Sequence, residues 1–357
     1  MPSTVRPAAT AGHAPRPGRH ESGRSVATAH GPGRTAARWG TLRASFVATR
    51  GGGTDFRVDR PGAPVLRTGA LPGAPRAALA GRAPAGVPKG YPLSTPISGP
   101  VSTPDGADVV RRLRAAGCVF AEDEAELLTT AARSPTELLA MVELRVSGLP
   151  LEHIVGWVDF CGLRVAVDPG VFVPRRRTEL LVRRAAALAR PGATVLDLAC
   201  GSGAIGLAVA ALVGDVTLYA VDVEPAAVRC ARRNLAALDA QVYAGDLYQP
   251  LPSRLRGRID VLVANVPYVP SAAVELLPPE ARLHEPLVAL DGGRDGLDVL
   301  RRVAAGARDW LLPGGHLLVE TGLEQAEVAA DVFDRAGLDP AVVTDDDLPA
   351  TVVIGRR

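Results

Sequence analysis

Two kinds of hydrophobic spacing divide the chain after about residue 104. In the first stretch, apolar side chains recur every three or four positions: Val109 and Leu113; Ala125, Leu127, Leu128 and Ala131; Leu138, Leu139 and Val142. That spacing predicts about three amphipathic helices. Asp123 and Ser134 stand where N-caps are expected, and Gly117 and Gly148 where helices stop. From Gly156 to Asp168 the period falls to two on either side of Cys161-Gly162, which predicts a β-hairpin. Beyond Phe172-Val173-Pro174, apolar β-branched runs alternate with helical stretches. Strands are predicted at 194–200, 216–223, 241–246, 259–266, 314–321, 341–344 and 351–355, with a helix from about Leu297 to Leu311. Such alternation predicts an α/β fold with a doubly wound, mostly parallel, seven-stranded sheet. Ligands of such sheets sit beyond the carboxyl ends of the strands.

The first 103 residues show neither period. They are rich in Arg, Pro, Gly and Ala, a composition that buries too little apolar surface to offset the entropy of ordering. They are expected to form a disordered extension. The expected organisation is then 1–103 extension, 104–155 helical module, 156–178 hairpin and linker, and 179–357 α/β domain.

Charge sharpens this division. The formal net charge is +2, yet residues 1–100 hold fourteen basic against three acidic side chains, so the remainder is net acidic at −9. An acidic body is a poor surface for a phosphate backbone, and no stable nucleic-acid binding is expected of it. Cys118, Cys161, Cys200 and Cys230 form no CxxC pair. They are expected to be reduced thiols of a cytoplasmic protein, with no metal site. No apolar run reaches the length of a membrane span, so no membrane association is expected.

Candidate chemistry lies at the predicted strand ends. Val195-Leu196-Asp197-Leu198-Ala199-Cys200 runs into Gly201, Gly203 and Gly206, a literal G-x-G-x-x-G. Alone, that pattern also admits a dinucleotide. Its acids tip the balance: Asp197 closes the first strand, Asp222 the second and Asp246 the third. Carboxylates beside the loop would repel a pyrophosphate seated on the helix N-terminus. They suit S-adenosylmethionine, which carries an ammonium and a sulfonium. Asp222 is then placed for the ribose hydroxyls, and Asp246 for the adenine amino group.

The fourth strand ends in Asn265-Val266-Pro267-Tyr268. Packing alone asks for no carboxamide at a strand end. Methyl transfer from a sulfonium is an in-line displacement, and its chief demand is orientation of the nucleophile. An amide or aromatic amino nitrogen is a weak nucleophile because its lone pair is delocalised. Two acceptors that hold its N–H groups turn that lone pair toward the methyl. The Asn265 side-chain oxygen and the Val266 carbonyl can be those acceptors; Pro267 fixes the chain and Tyr268 offers a flat face.

With these residues together, the chain from about Asp108 to Arg357 resembles the bacterial protein-(glutamine-N5) methyltransferases, which modify the Gly-Gly-Gln glutamine of peptide chain release factors. The resemblance rests on several segments: PLEHIVG (150–156), FVPRRRTE (172–179), DLACGSGAIG (197–206), VDVEP (221–225), GDLYQPL (245–251), EPLVALDGGRDGLD (285–298) and PGGHLLVETG (313–322). It implies a class I S-adenosylmethionine-dependent methyltransferase whose helical module docks the substrate. Ala199, Cys200, Gly201, Ser202, Gly203, Asp222, Asp246, Leu247 and Asn265 would bind the cofactor, and Asn265, Val266, Pro267 and Tyr268 would be catalytic. It also implies a monomer whose partner is a release factor or another translation protein. The alternative is an amino-methyltransferase acting on adenine or guanine, which would use the same tip on a flipped base.

The chain departs from the family pattern in places. Val266 replaces the first proline of Asn-Pro-Pro-Tyr, as in a variant subgroup. Arg175-Arg176-Arg177 is expected to add positive charge beside the site. Glu179 either lines the cleft or balances a helix start, and His153, His284 and His316 have no spacing that suggests a metal or a base.

Overall fold

The computed structural model describes residues 44–48, 54–58 and 105–357. Most of the extension expected to be disordered lies outside the described residues. Within it, β1 (Ala44–Ala48) and β2 (Thr54–Val58) pair antiparallel, with Ala44 opposite Val58. Two short β-forming runs, ASFVA and TDFRV, flank Gly51-Gly52-Gly53, a hairpin signal that bulk composition hides.

The helical module has four helices rather than three: α1 (Gly106–Ala115), α2 (Ala121–Ala131), α3 (Pro135–Val146) and α4 (Leu151–Val155). The last spans five residues, too few to show a period. Ser134 caps α3 as expected, its hydroxyl accepting the Glu137 N–H at 3.1 Å. Asp123 does not cap: α2 starts two residues earlier, and Asp123 joins Glu122 and Glu124 in its first turn, where the dipole favours acids. Leu113, Leu128, Met141 and Ile154 are fully buried at the module's centre. Each such side chain contributes about 1.5–3 kcal/mol of hydrophobic stabilisation.

The hairpin β3 (Trp157–Phe160) and β4 (Leu163–Ala166) closes through Cys161 and Gly162, both at positive φ (52° and 73°), as a two-residue turn requires. The α/β domain follows: α5 (Glu179–Leu188), β5 (Ala193–Leu198), α6 (Ala204–Val213), β6 (Val216–Asp222), α7 (Pro225–Asn234), β7 (Gln241–Ala244), β8 (Ile259–Ala264), α8 (Pro279–His284), α9 (Asp298–Trp310), β9 (Leu311–Thr321), α10 (Ala326–Arg335), β10 (Asp339–Asp345) and β11 (Ala350–Arg356). The seven-stranded sheet has the order β10-β11-β9-β8-β5-β6-β7 and is parallel except at β11, which runs against both its neighbours.

Alternation along the strands supplies two apolar faces. Val195, Leu218, Val261 and Leu318 pack with Leu181 of α5 and Leu207 of α6. Leu196, Tyr219, Leu262 and Leu317 pack with Val303 of α9 and Phe333 of α10. From β5 the chain builds outward to β6 and β7, then returns to β8 on the other flank of β5. The strand order therefore reverses between β5 and β8, and a crevice opens beyond their carboxyl ends. Asn265 and the glycine loop both lie there.

Candidate active site

A cleft of about 380 Å³ occupies this crevice. It is lined by residues 199–202, 222–224 and 265–269, together with segments within 170–178 and 277–290.

After β5 the backbone turns through left-handed conformations at Ala199 (φ 54°), Gly201 (φ 55°) and Gly203 (φ 77°). Gly203 has a second reason to lack a side chain: a Cβ there would lie 3.1 Å from Leu235 and 3.3 Å from Ala231. The loop is tied to the end of β6 by Asp222. Its Oδ2 accepts the Gly201 N–H at 2.8 Å, and its Oδ1 accepts the Glu224 N–H at 2.9 Å. Burial pushes the Asp222 carboxyl up, and those two N–H groups pull against it. Each oxygen keeps a second lone pair for a ligand hydroxyl. Val223, next in sequence and 50% exposed, adds an apolar surface to the cleft. Burial drives the Cys200 thiol far above its usual range, so it acts as a small apolar group.

The three acids of the sequence reading take three different positions. Only Asp222 lines the cleft. Asp197 is fully buried behind the loop, where its Oδ2 accepts the Gly206 N–H at 2.9 Å. Its Oδ1 has no partner among the described residues, and burial pushes the carboxyl up to about 7. Asp246 is paired with Arg302 of α9. Asp246, Leu247 and Gly203 lie outside the cleft lining, whereas Ala199, Cys200, Gly201, Ser202, Asp222 and Asn265 are all part of it. Leu247, at φ 48°, packs against the apolar cluster on the α9 side of the sheet.

At the tip, the Asn265 Nδ2 is 3.4 Å from the Thr178 hydroxyl, which is itself buried. Val266 turns its side chain into the core, at 1% exposure. Tyr268 enters a triangle with Arg177 and Glu320: its hydroxyl accepts from Arg177 Nη2 at 2.6 Å and donates to Glu320 Oε1 at 3.0 Å. Burial first, and the Glu320 carboxylate second, push the phenol well above its usual range. The main chain of the tip is gripped as well. Gln325 Nε2 donates to the Tyr268 carbonyl at 2.9 Å, and the Gly292 N–H donates to the Val269 carbonyl at 2.8 Å.

The arginine run proves less free than its sequence implies. Arg175 donates to both carboxylate oxygens of buried Glu285 at 2.7 Å, and Arg177 to buried Glu320. Arg176 is exposed and outside the cleft lining. Positive charge beside the site is thus largely neutralised by carboxylates distant in sequence. Glu179 opens α5 and pairs with Arg183 at 3.1 Å, outside the cleft lining. His153 is buried with Nε2 on the Val171 carbonyl at 2.8 Å. Sequence reasoning missed Thr178, Glu320 and Gln325. Of these only Glu320 left a trace, as an acid ending the apolar run Leu317-Leu318-Val319.

The reversed parallel sheet, the glycine loop held by an acid at the next strand end, and a carboxamide at the adjoining strand end define a class I S-adenosylmethionine-dependent methyltransferase. Residues 162–278 match the model of the methyltransferase small domain. The release factor glutamine methyltransferase of Geobacter sulfurreducens is 39% identical over 229 residues, covering 63% of this chain and 80% of that protein. That of Moorella thermoacetica is 37% identical over 251 residues, covering 64% and 88%. Among solved structures, the ribosomal protein L11 methylase of Lactobacillus delbrueckii subsp. bulgaricus aligns with a TM-score of 0.40 and 16% identity, covering 55% of this chain and 85% of that one. The chain belongs to the release factor glutamine methyltransferase family.

Proposed function

We propose that this protein transfers a methyl group from S-adenosylmethionine to the side-chain amide nitrogen of the glutamine in the Gly-Gly-Gln motif of a peptide chain release factor. The observation that carries the reading is Asn265, held at the open end of β8 in the same cleft as the Asp222-tied glycine loop.

The residues present fit the cofactor. The loop side of the cleft offers Asp222, Glu224 and main chain, which suit ribose hydroxyls and positive charge better than a pyrophosphate. Ala199 to Ser202 would hold the methionyl part, Asp222 the ribose, and Val223 the adenine face. S-adenosylmethionine supplies a methyl on a sulfonium when bound.

The chain's own part is orientation. With Nδ2 turned to Thr178, Asn265 presents Oδ1 as an acceptor for one N–H of the target amide. The Val266 carbonyl accepts the other. Replacing a proline at 266 changes the ring and adds a donor but leaves that carbonyl in place. Held by two acceptors, the nitrogen gives up part of its conjugation and aims its lone pair along the displacement axis. Pro267 and Tyr268 form the walls of the slot, which matches a flat carboxamide.

The four cysteines are free, which supports a reducing compartment, and we place the enzyme in the cytoplasm as a monomer. Incubation with methyl-labelled cofactor and a release factor, followed by mass spectrometry of the Gly-Gly-Gln peptide, tests the proposal. Label on the glutamine is expected. Label confined to added nucleic acid would overturn it.

A further inference from the structure

Arg177, Tyr268 and Glu320 form a closed triangle of hydrogen bonds, of which the reading above uses only the tyrosine. Arg177 Nη2 and Nε lie 2.6 and 3.0 Å from the Tyr268 hydroxyl. Arg177 Nε lies 3.1 Å from Glu320 Oε1, and that oxygen also accepts from Tyr268 at 3.0 Å. The Glu320 side chain is 1% exposed, and its Oε2 has no partner among the described residues. A carboxylate so buried needs a cation, and among the described residues Arg177 is the one that reaches it. Arg177 is itself 45% exposed and lines the cleft. The buried acid therefore draws a cleft-facing guanidinium inward across the hydroxyl of Tyr268.

The ring of Tyr268 is consequently held at both ends. Gln325 grips its carbonyl at 2.9 Å, and the Arg177–Glu320 pair grips its hydroxyl. We propose that Arg177 is a positioning residue that, anchored by Glu320, pins the Tyr268 ring as a fixed wall of the target slot. This rests on the role given to Tyr268 above. The target loses freedom against a fixed wall, so the nucleophile meets the methyl at one angle rather than many. Arg177 touches neither the glycine loop nor Asp222 in any hydrogen bond of the described residues, so its effect falls on the target and not on the cofactor.

The experiment compares wild type, Arg177→Met, Arg177→Lys, Tyr268→Phe and the double variant Arg177→Met/Tyr268→Phe. Cofactor affinity is measured by calorimetry, and kcat and KM for a Gly-Gly-Gln peptide by methyl transfer. Arg177→Met and Tyr268→Phe are each expected to lower kcat/KM about tenfold, with cofactor affinity within about twofold. Arg177→Lys keeps a cation for Glu320 but cannot bridge both partners, so it retains the fold and shows an intermediate loss. In the double variant the loss is expected to equal that of Tyr268→Phe alone, because Arg177 acts through the hydroxyl. Losses that multiply, or an unchanged kcat/KM in both Arg177 variants, would overturn the inference.

A readout independent of turnover separates this from the proposed function. In protein labelled with 3-fluorotyrosine, the Tyr268 resonance, assigned by its absence from Tyr268→Phe, is expected to shift in Arg177→Lys while the other tyrosines stay in place. An unmoved resonance overturns the clamp. A wild-type enzyme inert toward the peptide, with the resonance shift intact, overturns the glutamine reading instead.

Discussion

The side-chain nitrogen of Asn265 lies 3.4 Å from the hydroxyl of Thr178, a residue 87 positions earlier in the chain. In that arrangement the carboxamide nitrogen is turned to Thr178 and its oxygen is left for the cleft. Without that contact, Asn265 is free to turn and present a donor where an acceptor is needed. Thr178→Val keeps the shape and removes the hydroxyl. It is expected to lower kcat about tenfold with cofactor affinity within about twofold. Asn265→Ala is expected to abolish turnover with cofactor affinity within about tenfold, since an orienting acceptor is lost more than a binding contact. Steady-state methyl transfer and calorimetry check both; an undiminished kcat in Thr178→Val would remove Thr178 from the mechanism.

Gly292 meets the tip from the other side. A Cβ at this position would lie 2.6 Å from the Pro267 carbonyl oxygen and 2.5 Å from that of Gly296, both backbone atoms with little room to move. The glycines of Asp291-Gly292-Gly293-Arg294-Asp295-Gly296 therefore let one loop close directly onto the main chain of Pro267 to Val269. Gly292→Ala is expected to cost about 1–3 kcal/mol of stability by overpacking. It is also expected to lower turnover more than tenfold, roughly the cost of a displaced reacting group. Chemical denaturation and a methyl-transfer assay measure the two. Full activity in a stable Gly292→Ala would show that the loop does not set the tip.

What the sequence made legible was local. The strands announce themselves as apolar β-branched runs, and Asp222 and Asn265 stand out because each is polar at the end of such a run. The Cys161-Gly162 turn was readable from the alternation on either side of it. What was hidden is nonlocal or too short to have a period. Glu320 is 52 residues from the Tyr268 hydroxyl it accepts from, and Gln325 is 57 residues from the Tyr268 carbonyl it holds. Asp246 has the same local signature as Asp222, yet Arg302, 56 residues on, takes up its carboxylate. No spacing rule foresees that pairing. α4 escaped because five residues make barely more than one turn, and the hairpin of β1 and β2 because composition averaged over 103 residues conceals two runs of five.

Asp197 makes the stability of the domain depend on pH with a definite sign. Its carboxyl is raised by burial to about 7, against an unfolded value of about 4. The folded state therefore holds the proton more tightly than the unfolded state. Stability from this group is fully present below about pH 4, declines as pH rises, and is lost above about pH 7. Asp222, also raised, adds the same sign. Asp197→Asn removes the titration while leaving an oxygen for the Gly206 N–H. The stability of wild type minus that of Asp197→Asn is expected to fall between about pH 4 and 7 and to level off above it. Urea unfolding of both proteins across that range gives the difference directly. A difference that is flat or rises with pH would contradict the buried, protonatable state of Asp197.

Arg145 of α3 joins the helical module to the wall of the cleft. Its Nε and Nη2 reach the two carboxylate oxygens of Glu124 at 2.6 and 3.1 Å, and its Nη1 donates to the Leu149 carbonyl at 3.1 Å. The same Nη1 pairs with Glu280 of α8. Arg145 and Glu124 are both buried, whereas the Glu280 side chain is 47% exposed. The two acids should therefore respond differently. Removing the cation strands a buried carboxylate, so Arg145→Met is expected to cost about 3–5 kcal/mol. Glu280→Gln leaves Arg145 its better partner and is expected to cost less than about 1 kcal/mol. Because Glu280 lines the cleft, its loss frees α8 and is expected to raise KM for the protein substrate with kcat unchanged. Glu124→Gln in the Arg145→Met background is expected to recover part of the lost stability, since it removes the stranded charge. If Arg145→Met and Glu280→Gln cost the same stability, the node is a surface ion pair in solution and α8 is not anchored through it.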